Sequence, residues 1–97
     1  MKNWREIRQE VLARDHRQCQ VCGKENSAQV HHIIPRSQGG SNELSNLIVL
    51  CGRCHMLISP VPSWLITKLW QIPEAEIPAV ADAVQTRIDE VIGKRMT

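Results

Sequence analysis

A chain of 97 residues has room for one small domain, and a core of that size buries only about 60–65% of the surface its unfolded form exposes. With no Tyr or Phe and only Trp4, Trp64 and Trp70 as aromatics, such a core favours reinforcement by a structural metal or a partner surface. The net charge of +2 is unevenly spread: residues 1–59 carry eight Lys or Arg against five Asp or Glu, residues 60–97 four against five. That bias permits nucleic-acid binding without indicating it, and no apolar run approaches the roughly 18 residues of a membrane span.

In chain order, Trp4, Ile7, Val11 and Leu12 recur at helical spacing and predict an amphipathic helix from Asn3 to about Asp15, with Arg5, Arg8 and Arg14 on its other faces. Met1 to Gln9 hold no apolar signal core. The expected compartment is therefore cytoplasmic, where thiols stay reduced and cysteine pairs usually bind metal. Gln29 to Ile34 reads as a short strand, broken by Pro35 and followed by turn formers from Ser37 to Asn42. Leu47 to Leu50 is compatible with a second strand. Cys54 to Ser59 predicts a short helix stopped by Pro60 and Pro62. Ser63 can cap a helix running to about Gln71. A last helix starts near Pro73 or Pro78, with Ile77, Val80, Val84, Ile88 and Val91 on one face and Gly93 suited to its C-terminal cap. Lys94 and Arg95 complement the dipole there. Residues 60–97 show no chemistry of their own; with Trp64 and Trp70 they either complete the core or form a docking surface.

Cys19-x-x-Cys22 and Cys51-x-x-Cys54 are two pairs of the spacing that turns two thiolates from one knuckle toward a single ion, and two knuckles complete a tetrahedral sulfur site. Four sulfurs leave no open position, so the expected zinc is structural. The competing reading is a redox or disulfide pair. The 28 residues between the pairs exceed the spacing of a compact zinc ribbon and hold an insert.

That insert and its edge contain His31, His32 and His55. His55 follows Cys54 and on a helix points about 100° away from it; His31 and His32, as strand neighbours, point to opposite faces. Composition alone leaves open whether these form a second metal site or are ordinary polar residues.

The run Val30 to Ser37, then Gly39-Gly40, then Ser45-Asn46-Leu47, then Leu50 to His55 resembles the HNH endonuclease family. The resemblance covers residues 19–55, is compatible with the preceding helix, and leaves 60–97 outside. It implies a ββα-metal motif gripping one catalytic divalent ion. His31 and His55 fall on its ligand positions, His32 on the general base, and Asn46 on the central asparagine that braces the loop and orients the base. Some relatives have a further His ligand where this chain has Ser59. The ion then has two protein ligands and could be Mg, Mn, Ni or Zn; imidazoles favour the transition metals. Neutral imidazole, with an unperturbed pKa of about 6.5, can take a proton from water.

Arg36 and Arg53 are candidate phosphate contacts. Arg5, Arg8, Arg14 and Arg17 could follow a duplex backbone, although a solvated helix face is the simpler reading of each. His16 falls on no family position and reads as a surface residue. The expectation is an α+β fold: a zinc-stapled ββα-metal core over 1–59 with an N-terminal helix, and a helical extension over 60–97 packed on the same domain. The expected function is metal-dependent hydrolysis of DNA, with no membrane partner and a monomeric or homodimeric state. The alternative is a non-catalytic zinc-stapled module that binds nucleic acid or protein, or a nuclease controlled by a partner.

Overall fold

The structure, a computed structural model, describes residues 2–95. Among the described residues the protein is α+β, with four α-helices and one two-stranded antiparallel sheet, and it divides into two compact units, Met1–Cys51 and Gly52–Thr97.

The first unit is built on helix α1, Trp4–Arg14. Asn3 caps it, its side-chain oxygen accepting from the Glu6 N–H at 2.9 Å. Past Arg14, His16 and Arg17 both adopt left-handed backbone (φ 55° and 50°), and Arg17 N–H returns to the Leu12 carbonyl. The chain thus turns sharply into the first cysteine pair. Strands β1 (Gln29–His32) and β2 (Leu47–Leu50) pair with Gln29 opposite Leu50 and His32 opposite Leu47. Side chains directly opposite in such a pair share a face. Leu47 and Val49 pack with Val11 and Leu12 of α1 in a fully buried cluster, joined by Ile7 and Val30. Ile48 and Leu50, on the other face, are also fully buried. Burial on both faces explains why β2 reads as a continuous apolar run without alternation.

One buried charge ties α1 to the sheet. Asp15, 3% exposed, accepts from the Val49 N–H at 3.0 Å and from Nε and an Nη of Arg14 at 2.9 and 3.0 Å. Arg14 also donates to the carbonyls of Leu44 and Leu47, and Arg8 to that of Ala28. Both arginines thus bind backbone of their own unit.

Strand β1 ends two residues earlier than its β-branched run predicts. The reason is local: Ile33 N–H still bonds the Asn46 carbonyl opposite it, but the Asn46 N–H turns to the Glu43 carbonyl, and both backbone polar groups of Ile34 bond the Asn46 side chain. The ladder therefore stops at this half-made pair.

The second unit contains α2 (Gly52–Leu57), α3 (Ser63–Trp70) and α4 (Ile77–Arg95). Its buried apolar residues include Leu57, Ile66, Ile72, Ile77, Val84 and Ile88, and α2 packs on both α3 and α4. Trp70 is half-buried, its indole N–H 3.3 Å from the Met56 sulfur, whereas Trp64 is 63% exposed. Two caps differ from expectation. Pro62, not Ser63, occupies the N-cap position of α3, without a side-chain hydrogen bond. Gly93 lies inside α4, which continues through Lys94 and Arg95.

Candidate active site and metal centre

The first knuckle is shaped by backbone bonds: Cys19 N–H to the Lys24 carbonyl and Gly23 N–H to the Cys19 carbonyl. Gly23 takes φ 81°, a region that glycine enters without steric cost. The Cys22 N–H points at Cys19 Sγ, 3.5 Å away. The sulfurs of Cys22 and Cys51 are 3.6 Å apart, and Cys54 sits three residues after Cys51 in the second knuckle. All four Sγ atoms lie within 4.8 Å of one another. A tetrahedral zinc with Zn–S bonds near 2.3 Å separates its sulfurs by about 3.8 Å, so the cluster fits that ion with small adjustments. Burial, followed by its neighbouring thiols, pushes the Cys22 thiol up from its ordinary value. Without a cation this disfavours the Cys22 thiolate that metal binding requires. The four cysteines are thus arranged to bind a metal ion, as expected of structural zinc. Among the described residues no other group of three or more His, Cys, Asp or Glu side chains gathers this closely.

His31 and His32 are both on β1, opposite Ile48 and Leu47 respectively. Alternation puts His32 on the α1 side, and there its ring stacks on Trp4 with centroids 5.3 Å apart and planes 18° from parallel. His32 Nε2 lies 2.8 Å from Asn42 Oδ1. His31 takes the opposite face. His55 is on α2, in the second unit; burial lowers its pKa and favours the neutral ring. Ser59 donates its hydroxyl to the His55 backbone carbonyl at 2.5 Å, closing the last turn of α2.

Asn46 is buried at 8% exposure and uses its whole amide: Oδ1 accepts from Ile34 N–H at 2.8 Å, and Nδ2 donates to the carbonyls of Ile34 (3.1 Å) and Ser41 (2.8 Å). Within the loop it holds, Gly40 passes so close to Ile34 that a Cβ there would meet the Ile34 carbonyl oxygen at 1.7 Å. Arg36 is exposed in a 3-10 turn, Arg36–Gln38, on this same loop. Arg53 is half-buried on α2.

Sequence reasoning did not single out two contacts of His32. Asn42 reads as a turn former and Trp4 as part of an apolar helix face; only the register of β1 against β2 brings either one to the imidazole. Asp15 was likewise unmarked, because a buried carboxylate at a helix end looks in sequence like any polar terminus.

The family model for HNH endonuclease matches residues 19–59, a span that contains both cysteine pairs, the three histidines and Asn46. The chain is also similar to Anaredoxin from Nostoc sp. (strain PCC 7120 / SAG 25.82 / UTEX 2576), 42% identical over 52 residues that make up 53% of this chain and 68% of that protein. No solved structure matches the chain. A sulfur-clustered pair of knuckles around a β-strand, an asparagine-locked loop and a second strand is what the matched segment folds into, and the chain belongs to the HNH endonuclease family.

Proposed function

We propose that the protein is a metal-dependent endonuclease that hydrolyses phosphodiester bonds in DNA, acting in a reducing cytoplasmic setting. The observation that carries this reading is the family match over 19–59, since a zinc-stapled module alone has no need of His31, His32, Asn46 and His55 together. We assign the core to 1–59 and a helical extension to 60–97. His32 is the general base, and Asn46 fixes the loop beside it. His31 and His55 are the candidate protein ligands of a catalytic divalent ion, Mg, Mn, Ni or Zn, and imidazole ligands suit a transition metal best. Such an ion, when bound, supplies positive charge to a phosphate oxygen and to the leaving oxygen. The His32 imidazole takes a proton from water, whose oxygen forms the new bond to phosphorus. The P–O3′ bond breaks, and the departing oxygen takes a proton from solvent. The products are 5′-phosphate and 3′-hydroxyl ends. Arg36 and Arg53 are proposed to hold substrate phosphates. Cys19, Cys22, Cys51 and Cys54 would hold a structural zinc, whose four sulfur ligands leave no open position for water.

The second reading, a non-catalytic module that binds nucleic acid or protein, draws on the cysteine cluster, which stands without the histidines. Plasmid nicking with manganese, nickel or magnesium, beside a chelator control, separates the two readings. Cleavage by the native chain and its loss in His32→Ala, at unchanged zinc content, is the expected result. DNA binding without cleavage under every ion overturns the nuclease assignment.

A further inference from the structure

We infer that Asn42 is a positioning residue for His32, selecting the tautomer in which Nδ1 is the atom that accepts the proton from water. The inference rests on the nuclease reading above and adds to it the atom and the residue that fixes it.

A neutral imidazole has one N–H and one lone pair, and which nitrogen carries which is set by the hydrogen bond the ring makes. Asn42 Oδ1 is 2.8 Å from His32 Nε2. An amide oxygen can only accept, so Nε2 must donate and therefore carries the proton. The lone pair then sits on Nδ1. Among the described residues Nδ1 makes no hydrogen bond, so it remains available to a water molecule.

Tautomer alone does not aim a lone pair. The ring must also be fixed in plane and in its two-fold orientation about the Cβ–Cγ bond. Trp4, stacked at 5.3 Å and 18°, fixes the plane but tolerates a half-turn, because a flipped ring keeps the same face. The half-turn exchanges Nε2 with Cε1, which cannot donate comparably to Asn42. The hydrogen bond therefore removes the degeneracy that stacking leaves.

Asn46 cannot do this work, because its three hydrogen bonds all go to the backbone of Ile34 and Ser41. It acts on the loop, and the loop in turn carries Asn42. Asn42 lies four residues before Asn46 and one after Ser41, whose carbonyl Asn46 holds. The two asparagines form a relay of backbone bracing followed by side-chain contact.

The test uses the full zinc-loaded chain with ¹⁵N-labelled histidine. Two-bond ¹H–¹⁵N correlations at alkaline pH should show His32 as a single tautomer protonated at Nε2. Asn42→Ala should give a mixture of tautomers and lower kcat about ten- to a hundredfold, the size of loss seen when a partner that orients a metal-bound imidazole is removed, with KM for DNA unchanged. Asn42→Asp keeps an accepting oxygen and should restore both the single tautomer and cleavage to within a few-fold of native. Zinc content and thermal midpoint of each variant report folding. A native His32 protonated at Nδ1, or an Asn42→Ala chain with native tautomer and native kcat, overturns the inference. A native chain that holds the Nε2–H tautomer yet cuts no DNA under any ion overturns the nuclease reading instead and leaves the contact standing.

Discussion

Asn46 offers the sharpest test of how the loop is held, because two substitutions of nearly equal size should act differently. Asn46→Ala removes three hydrogen bonds, each contributing about 1 kcal/mol net. Ile34 and Ser41 are exposed, so water can reclaim part of what their backbone groups lose, and the cost should be about 2–3 kcal/mol. Asn46→Asp preserves the acceptor facing the Ile34 N–H at 2.8 Å. It also turns the donor into an oxygen aimed at two carbonyl oxygens, 3.1 and 2.8 Å away, in a site that is 8% exposed. That arrangement should cost more than the alanine, about 3–5 kcal/mol. The readout is hydrogen exchange at the Ile33 and Gly40 amides, whose acceptors (the Asn46 and Pro35 carbonyls) survive both changes. With about 1.4 kcal/mol per factor of ten, Asn46→Ala should speed their exchange about 30- to 150-fold, and Asn46→Asp further still. The aspartate defect also has a signature in pH. Burial among acceptors raises the introduced carboxyl's pKa in the folded chain above its unfolded value. The penalty is therefore full at neutral pH and fades as pH falls toward the unfolded value, where both states are protonated. The alanine penalty should not move with pH. An aspartate variant as protected as the native chain at neutral pH would refute this account of the loop.

Other perturbations follow from the same contacts. Gly40→Ala must displace the Ile34 carbonyl that its Cβ would overlap, and should abolish protection of the Ile33 amide while leaving the α1 amides protected. Asp15→Ala strands the buried Val49 N–H and leaves Arg14 without its carboxylate, for a loss of about 3 kcal/mol measurable by urea denaturation. Removing metal with a strong thiol-competitive chelator, or protonating the cysteines by acid, should release about one zinc per chain and lower the thermal midpoint. The acid effect runs in that direction because binding requires thiolates, and at Cys22, whose thiol is pushed up, the proton competes with the ion for the sulfur. Arg36→Ala should weaken DNA binding across sequences and reduce the slope of log affinity against log salt by about one.

Several features could be read from the sequence because they depend on residues near one another in the chain. Asn3 before Trp4 signals a cap, and the cysteine spacing signals a shared ion, since both are local geometry. The start of α2 at Gly52, two residues before the expected Cys54, has the same origin: the second knuckle and the first helical turn are the same backbone. Gly93 misleads for a related reason. A glycine ends a helix only where the chain must turn, and α4 instead continues through Lys94 and Arg95, at about 1 kcal/mol relative to alanine. The HNH resemblance marked His32 and Asn46, but not that Asn42 and Trp4 meet His32. That contact joins residues 10 and 28 positions away, and no pattern of hydropathy records a strand register. The early end of β1 is hidden in the same way, because Ile33 and Ile34 have every local preference for a strand and leave it only where Asn46 turns its own N–H to Glu43 and its side chain claims the backbone of Ile34.

The pairing of β1 with β2 also limits how this family of sequences can change. Two adjacent imidazoles on a strand differ in job only by parity, His31 opposite Ile48 and His32 opposite Leu47. A single residue inserted upstream within β1 that shifted its pairing by one position would exchange the faces of the two rings, whereas a shift of two would restore them. Length variation should therefore accumulate before Gln29 or in the exposed turn after Pro35, and the strand itself should tolerate substitution far better than insertion.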